Sequence, residues 1–63
     1  MEEKNVYTSA KGAADILKLN EQTLANWRHL RKGPAYSKLG RAIRYRISDL
    51  ISYAESKKIE VKD

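Results

Sequence analysis

Cysteine is absent from this chain of 63 residues, and histidine occurs once, as His29. No disulfide can form, and one histidine cannot assemble a zinc cage of Cys and His ligands. Both absences matter at this length, because a domain of about 60 residues buries only about 60% of the surface its unfolded chain exposes. One domain with a thin core, held by apolar packing alone, is therefore expected. Lack of cysteine is compatible with a reducing cytoplasm. No apolar run approaches membrane-spanning length, and the stretch from Met1 to Asn5 is charged where a secretory leader would be apolar. By exclusion, the expected location is cytoplasmic. A phosphate-cradling glycine loop is also missing. With no cysteine, a single histidine and too few residues to enclose a pocket, nothing is in place to activate a nucleophile or water. An enzyme is not expected, nor is a cofactor.

Acidic residues are missing from one part of the chain only. Residues 1 to 27 set Lys4, Lys11 and Lys18 against Glu2, Glu3, Asp15 and Glu21, a balance of −1. Residues 47 to 63 set Lys57, Lys58 and Lys62 against Asp49, Glu55, Glu60 and Asp63, again −1. Between them, Arg28, Arg31, Lys32, Lys38, Arg41, Arg44 and Arg46 stand with no acid, so this block holds all of the net +5. A basic surface kept for solubility would intersperse both signs, so a block of one sign favours an anionic partner, nucleic acid above all.

The apolar pattern places this block on particular elements. Ala10, Ala13, Ala14 and Leu17 fall at i, i+3, i+4 and i+7, which predicts a helix over roughly 9 to 17 with Thr8 as its cap. Asn20 is a good N-cap for a second helix running to Leu30, and Glu21 in its first turn suits the helix dipole. Two short helices joined by a few residues read as a helix-turn-helix, although an αα-hairpin would read similarly. Gly33-Pro34 is expected to end the second helix. Beyond it, residues 35 to 39 and 42 to 47 flank Gly40-Arg41 and predict a β-hairpin, with Ile43, Tyr45 and Ile47 facing inward. A two-residue loop pairs Lys38 with Ile43, a mixed pair, and a longer loop from Leu39 to Ala42 is the alternative. Ser48 with Asp49 predicts the start of a third helix, whose Leu50, Ile51 and Ala54 would close the core and whose edge Tyr53 would join. The tail over residues 57 to 63 lacks a period and is expected to be mobile. The expected fold class is α+β, mostly α: about three helices and a two-stranded wing, with an ordered core over about 6 to 56.

At about 100° per residue, Leu24 and Trp27 share one side of the second helix, and Gln22, Asn26 and His29 share the other. Side-chain amides make paired hydrogen bonds to adenine edges, so this polar side is the candidate reading face for a major groove. Arg41, at the hairpin tip, suits a minor groove or the backbone. Lys38 and Arg44 suit flanking phosphates, as do Arg28 and the hydroxyl of Thr23 at the border of the reading face. Arg31 and Arg46 either touch phosphate or brace the fold by laying their stems over an aromatic ring.

In chain order, Tyr7-Thr8, Ala13-Ala14-Asp15-Ile16-Leu17, Thr23-Leu24, Trp27, Gly33-Pro34, Leu39-Gly40-Arg41, Arg44-Tyr45 and Ser48-Asp49-Leu50 resemble the excisionase-like branch of MerR-type winged helices. That resemblance, over about residues 6 to 55, implies packed helices with a two-stranded wing, the helix after Asn20 in the major groove and Arg41 at the wing. Its members include excisionases, also called recombination directionality factors, and AlpA-like transcription regulators. It implies double-stranded DNA as partner, an integrase as a second partner, and cooperative self-association on DNA. The implied role is bending attachment-site DNA so that an integrase excises a mobile element; the alternatives are an AlpA-like regulator without a recombination role and a module docking an acidic protein. Gly12 departs from the pattern, standing where many relatives carry an acid, and is expected to weaken the first helix by up to about 1 kcal/mol relative to alanine.

Overall fold

The computed structural model describes residues 6–61, so residues 1–5, and residues 62–63 of the expected tail, lie outside the described residues. Six elements follow one another: β1 (Tyr7–Ser9), α1 (Ala10–Leu17), α2 (Glu21–His29), β2 (Ser37–Leu39), β3 (Ala42–Arg46) and α3 (Ile47–Ser56). The fold is α+β and mostly α, a winged helix-turn-helix. Its sheet has three strands rather than the expected two, in the order β1-β3-β2, with both pairings antiparallel. The unexpected strand is β1, whose Tyr7, Thr8 and Ser9 pair with Arg46, Tyr45 and Arg44.

That pairing moves the first cap by one residue. Thr8 is committed to the sheet, and Ser9 takes over as N-cap, its Oγ accepting from the Gly12 N–H at 3.1 Å. At the other end of α1, Lys18 adopts the left-handed conformation (φ 59) and its N–H reaches Ala14 O and Asp15 O. The Leu19 N–H also closes on Ala14 O at 2.8 Å, so two carbonyls of the last turn, Ala14 and Asp15, are satisfied and the chain turns toward α2.

Gly12 turns out to have a packing reason. A Cβ built there would run into Thr8 Oγ1 and lie 3.3 Å from Thr8 Cβ, because β1 folds back over the first turn of α1. The helix-propensity gain of Gly12→Ala, about 1 kcal/mol, is thus opposed by a clash with a strand residue. Thermal unfolding of Gly12→Ala is expected to show no stabilisation; a full gain would mean that Thr8 gives way freely.

Asn20 caps α2 as expected, with Oδ1 accepting from the Gln22 N–H at 2.7 Å. The helix stops at His29, before the glycine and proline expected to end it. Arg31 takes the left-handed position (φ 60), and the Lys32 N–H closes on Trp27 O at 2.9 Å, a six-residue closure of the Schellman kind. Gly33 has a different task. It lies at φ 91 against the indole, where a Cβ would come within 2.7 Å of Trp27 Cε3, so the chain can pass tightly under Trp27 toward the buried Pro34.

The wing uses the two-residue loop. Leu39 pairs with Ala42 and Lys38 with Ile43, and Gly40 takes the positive φ (64) required at the first position of a type II′ turn. The mixed pair is tolerated because the core reaches only the base of the ribbon: Tyr45 is buried and Ile43 half-buried, whereas Lys38 and Leu39 are exposed.

Strand β3 runs straight into α3, which corrects the expected start at Ser48. Arg46 occupies the N-cap position without a side-chain cap, and Ser48 lies inside the first turn. The Ile47 N–H, one of the orphan donors of that turn, is instead taken by Val6 O at 2.9 Å, so the residue leading into β1 does the work of a capping side chain. Only one of the three expected core residues of α3 is buried. Leu50 is sealed, Ile51 and Ala54 are exposed, and Tyr53 packs on Trp27 with ring centroids 5.9 Å apart at 56°. The core is accordingly small: Ala13, Ala14, Leu24, Tyr45 and Leu50, with Ala10, Leu17, Trp27 and Ile43 packed around it. The two described ion pairs, Lys11–Asp15 at 3.6 Å and Lys58–Glu55 at 3.7 Å, are exposed. Such pairs contribute at most about 1 kcal/mol each.

Candidate nucleic-acid interface

Helix α2 buries Leu24 and half-buries Trp27, and this fixes the outward side of the helix by geometry. Gln22, Asn26 and His29 are exposed there, as the helical wheel predicts. Gln22 and Asn26, one turn apart, are joined side chain to side chain: Gln22 Nε2 donates to Asn26 Oδ1 at 3.1 Å. One donor and one lone pair are used. The Asn26 amide keeps both N–H donors and a free lone pair, and Gln22 keeps its carbonyl oxygen and one N–H. The pair therefore presents donors and acceptors side by side in a fixed orientation, the pattern that matches the N6 and N7 edge of adenine. Thr23, half-buried, borders this face.

Arg28 is placed otherwise than at the free edge of the reading face. Its Nη1 donates to the Tyr45 hydroxyl at 2.9 Å, and the guanidinium lies 5.8 Å from the centroid of the Tyr36 ring. Tyr36 and Tyr45 are themselves 5.9 Å apart, centroid to centroid. Helix α2 is thus tied to the base of the hairpin through an arginine between two tyrosines. A residue read from sequence as a phosphate ligand is also a brace between α2 and the base of the wing.

The remaining basic residues divide in the same manner. Arg46 lies 5.7 Å from the Tyr7 ring centroid and donates to the Tyr7 hydroxyl at 3.3 Å, so it clasps β1 to β3 and is the bracing arginine of the two alternatives. The Tyr7 hydroxyl first, and the Asp49 carboxylate after it, push the Arg46 guanidinium above its ordinary pKa. Arg44 donates to Ile43 O at 2.8 Å and is half-buried along its own strand. Lys38 and Arg41 are exposed. Because Lys38 stands opposite Ile43 and Arg44 opposite Ser37, Lys38 and Arg44 lie on opposite faces of the ribbon, one on each side of the Arg41 tip.

Two residues that sequence reasoning did not single out, Lys32 and Tyr36, gather beside α2 with Arg31, one of the two arginines whose role the sequence left open. Arg31, Lys32 and Tyr36 line an open cleft together with Arg28 and His29, where the chain leaves the helix and enters the wing. Their signal in the sequence was the acid-free block itself, which contains Arg31 and Lys32; the turn that gathers them was not legible. Among the described residues, no group of three His, Asp or Glu side chains could hold a metal ion, and no helix is long and apolar enough to cross a membrane. A family model described as a helix-turn-helix domain matches residues 9–58, from the N-cap of α1 to just beyond α3. No curated protein matches the chain.

Proposed function

From the premise that the chain belongs to the helix-turn-helix domain family, and so binds double-stranded DNA, we propose that it is an excisionase. In this reading α2 enters the major groove, with Gln22, Asn26 and His29 on base edges and Thr23 and Arg28 at the bordering phosphates. The wing lies along the adjacent minor groove or backbone with Arg41 at its tip, and Lys38 and Arg44, on opposite faces of the ribbon, reach the phosphates on either side. The chain works as one unit of about residues 6 to 56. It shapes DNA rather than catalysing a reaction: copies bind cooperatively along an attachment site, bend it, and so direct an integrase toward excision. The residues after Ser56 are the segment offered to the integrase.

The observation that carries the DNA half of this reading is how charge is distributed over the fold. All seven cations of the acid-free block lie between the last turn of α2 and the end of β3, beside a helix face of exposed amides. The recombination half rests on the residues shared with excisionases. Its test is a mobility-shift and excision experiment with an attachment-site fragment and the integrase of the same element. Retarded, bent complexes and a raised excision yield are expected. Binding without any change in excision, together with a changed output from a nearby promoter, would replace the excisionase role with that of an AlpA-like regulator; no binding to any duplex would remove both.

A further inference from the structure

We infer that the cleft at the C-terminal end of α2 is a second anion site, which seats a phosphodiester of the DNA backbone beside the groove that α2 enters. The inference rests on the duplex-binding reading above and adds Arg31, Lys32 and Tyr36 to it. The cleft measures about 830 Å³ and is open on its outer side, a shape that suits a polymer passing through rather than an enclosed small ligand. Two arginines, a lysine and His29 line it, and no acid does.

The end of a helix ordinarily repels anions, because its last carbonyls point outward. Here three of them are already taken: Asn26 O by the Leu30 N–H, Trp27 O by the Lys32 N–H and Arg28 O by the Arg31 N–H. The turn that achieves this places Arg31 at φ 60, a conformation uncommon for a residue with a side chain, and carries Arg31 and Lys32 to the cleft wall. Among the described residues neither head group has an ion-pair partner. Arg28 forms a floor that is fixed before any ligand arrives, held by the Tyr45 hydroxyl and the Tyr36 ring, with its remaining N–H donors free for charge-assisted bonds to phosphate oxygens. Since the cleft runs from the last turn of α2 to Tyr36, the residue before β2, its occupant is the backbone between the two elements' contacts.

The test measures binding to a short random-sequence duplex as a function of salt, for the full chain and three variants. Lys32→Gln removes one cation at a position of ordinary backbone. Lys32→Gln with Arg31→Asn removes two, asparagine being chosen because it accepts the left-handed conformation. Lys11→Gln is the control, since that lysine pairs with Asp15 on α1 and does not line the cleft. The slope of log K against log salt is expected to flatten by about 0.9 for the single variant and about 1.8 for the double. Base preference and melting temperature should stay close to wild type, and the control slope should not move. An unchanged slope for Lys32→Gln, or an equal change in the control, overturns the cleft while leaving the reading face standing. Failure of the wild-type chain to bind any duplex overturns both together. Should the double variant melt early, Lys32→Gln alone decides.

Discussion

Replacing Leu24 with alanine is expected to cost about 3 kcal/mol of stability, the middle of the range for a sealed leucine. Leu24 is fully buried where α1, β3 and α3 meet, in a cluster of five buried hydrophobic residues. With so few neighbours able to collapse inward, most of the cavity would persist. A domain of this size commands only about 3 to 9 kcal/mol in total. The loss would therefore remove at least about a third of that stability and lower the melting temperature by about 20 °C. Thermal unfolding followed by circular dichroism measures it. DNA affinity should fall in step with the folded fraction and recover on cooling. A loss under about 1 kcal/mol would mean that Leu24 is not the keystone of the core.

The second large effect concerns the division of labour on DNA. Asn26→Ala removes an exposed amide of the proposed reading face and leaves the helix intact, since alanine is the better helix former. Affinity for the preferred site is expected to drop by about 1 to 3 kcal/mol, with preference relaxed at one base pair. Arg41→Ala should behave differently: binding weakens on every sequence, and the salt slope flattens by about 0.9. Titrations against a preferred and a scrambled duplex at several salt concentrations separate the two. Equal losses for both variants on both duplexes would mean that the amide face reads nothing.

Much of this architecture was legible in the sequence where a local rule governs. The spacing of Ala10, Ala13, Ala14 and Leu17 located α1, Asn20 located the start of α2, and Gly40-Arg41 located the wing turn. Exposure of Gln22, Asn26 and His29 followed from the burial of Leu24 and Trp27 on the opposite side of one helix. What escaped depends on contacts between distant parts of the chain. Strand β1 has only three residues, too short for an alternating pattern, and exists because Arg46 and Tyr45 lie across from it. Its presence changed three further readings: the cap of α1 moved to Ser9, α3 began without a side-chain cap, and Gly12 became a packing residue. The tie of Arg28 to Tyr36 and Tyr45 was equally hidden, since nothing in the spacing of residue 28 from residue 45 announces a hydrogen bond. For the same reason the basic block could be recognised by charge but not sorted by sequence into braces such as Arg46 and free cations such as Arg31 and Lys32.

The central claim is that the amide face of α2 and the tip of the wing engage one duplex at the same time. Its most direct test is a nuclear magnetic resonance titration of the isotope-labelled chain with a duplex, following the side-chain amides of Gln22 and Asn26 and the backbone amides of Gly40 and Arg41. All four should shift together, at a common stoichiometry, while the amides of α3 beyond Leu50 stay in place. Shifts confined to the helix or to the wing, or centred on α3, would contradict it.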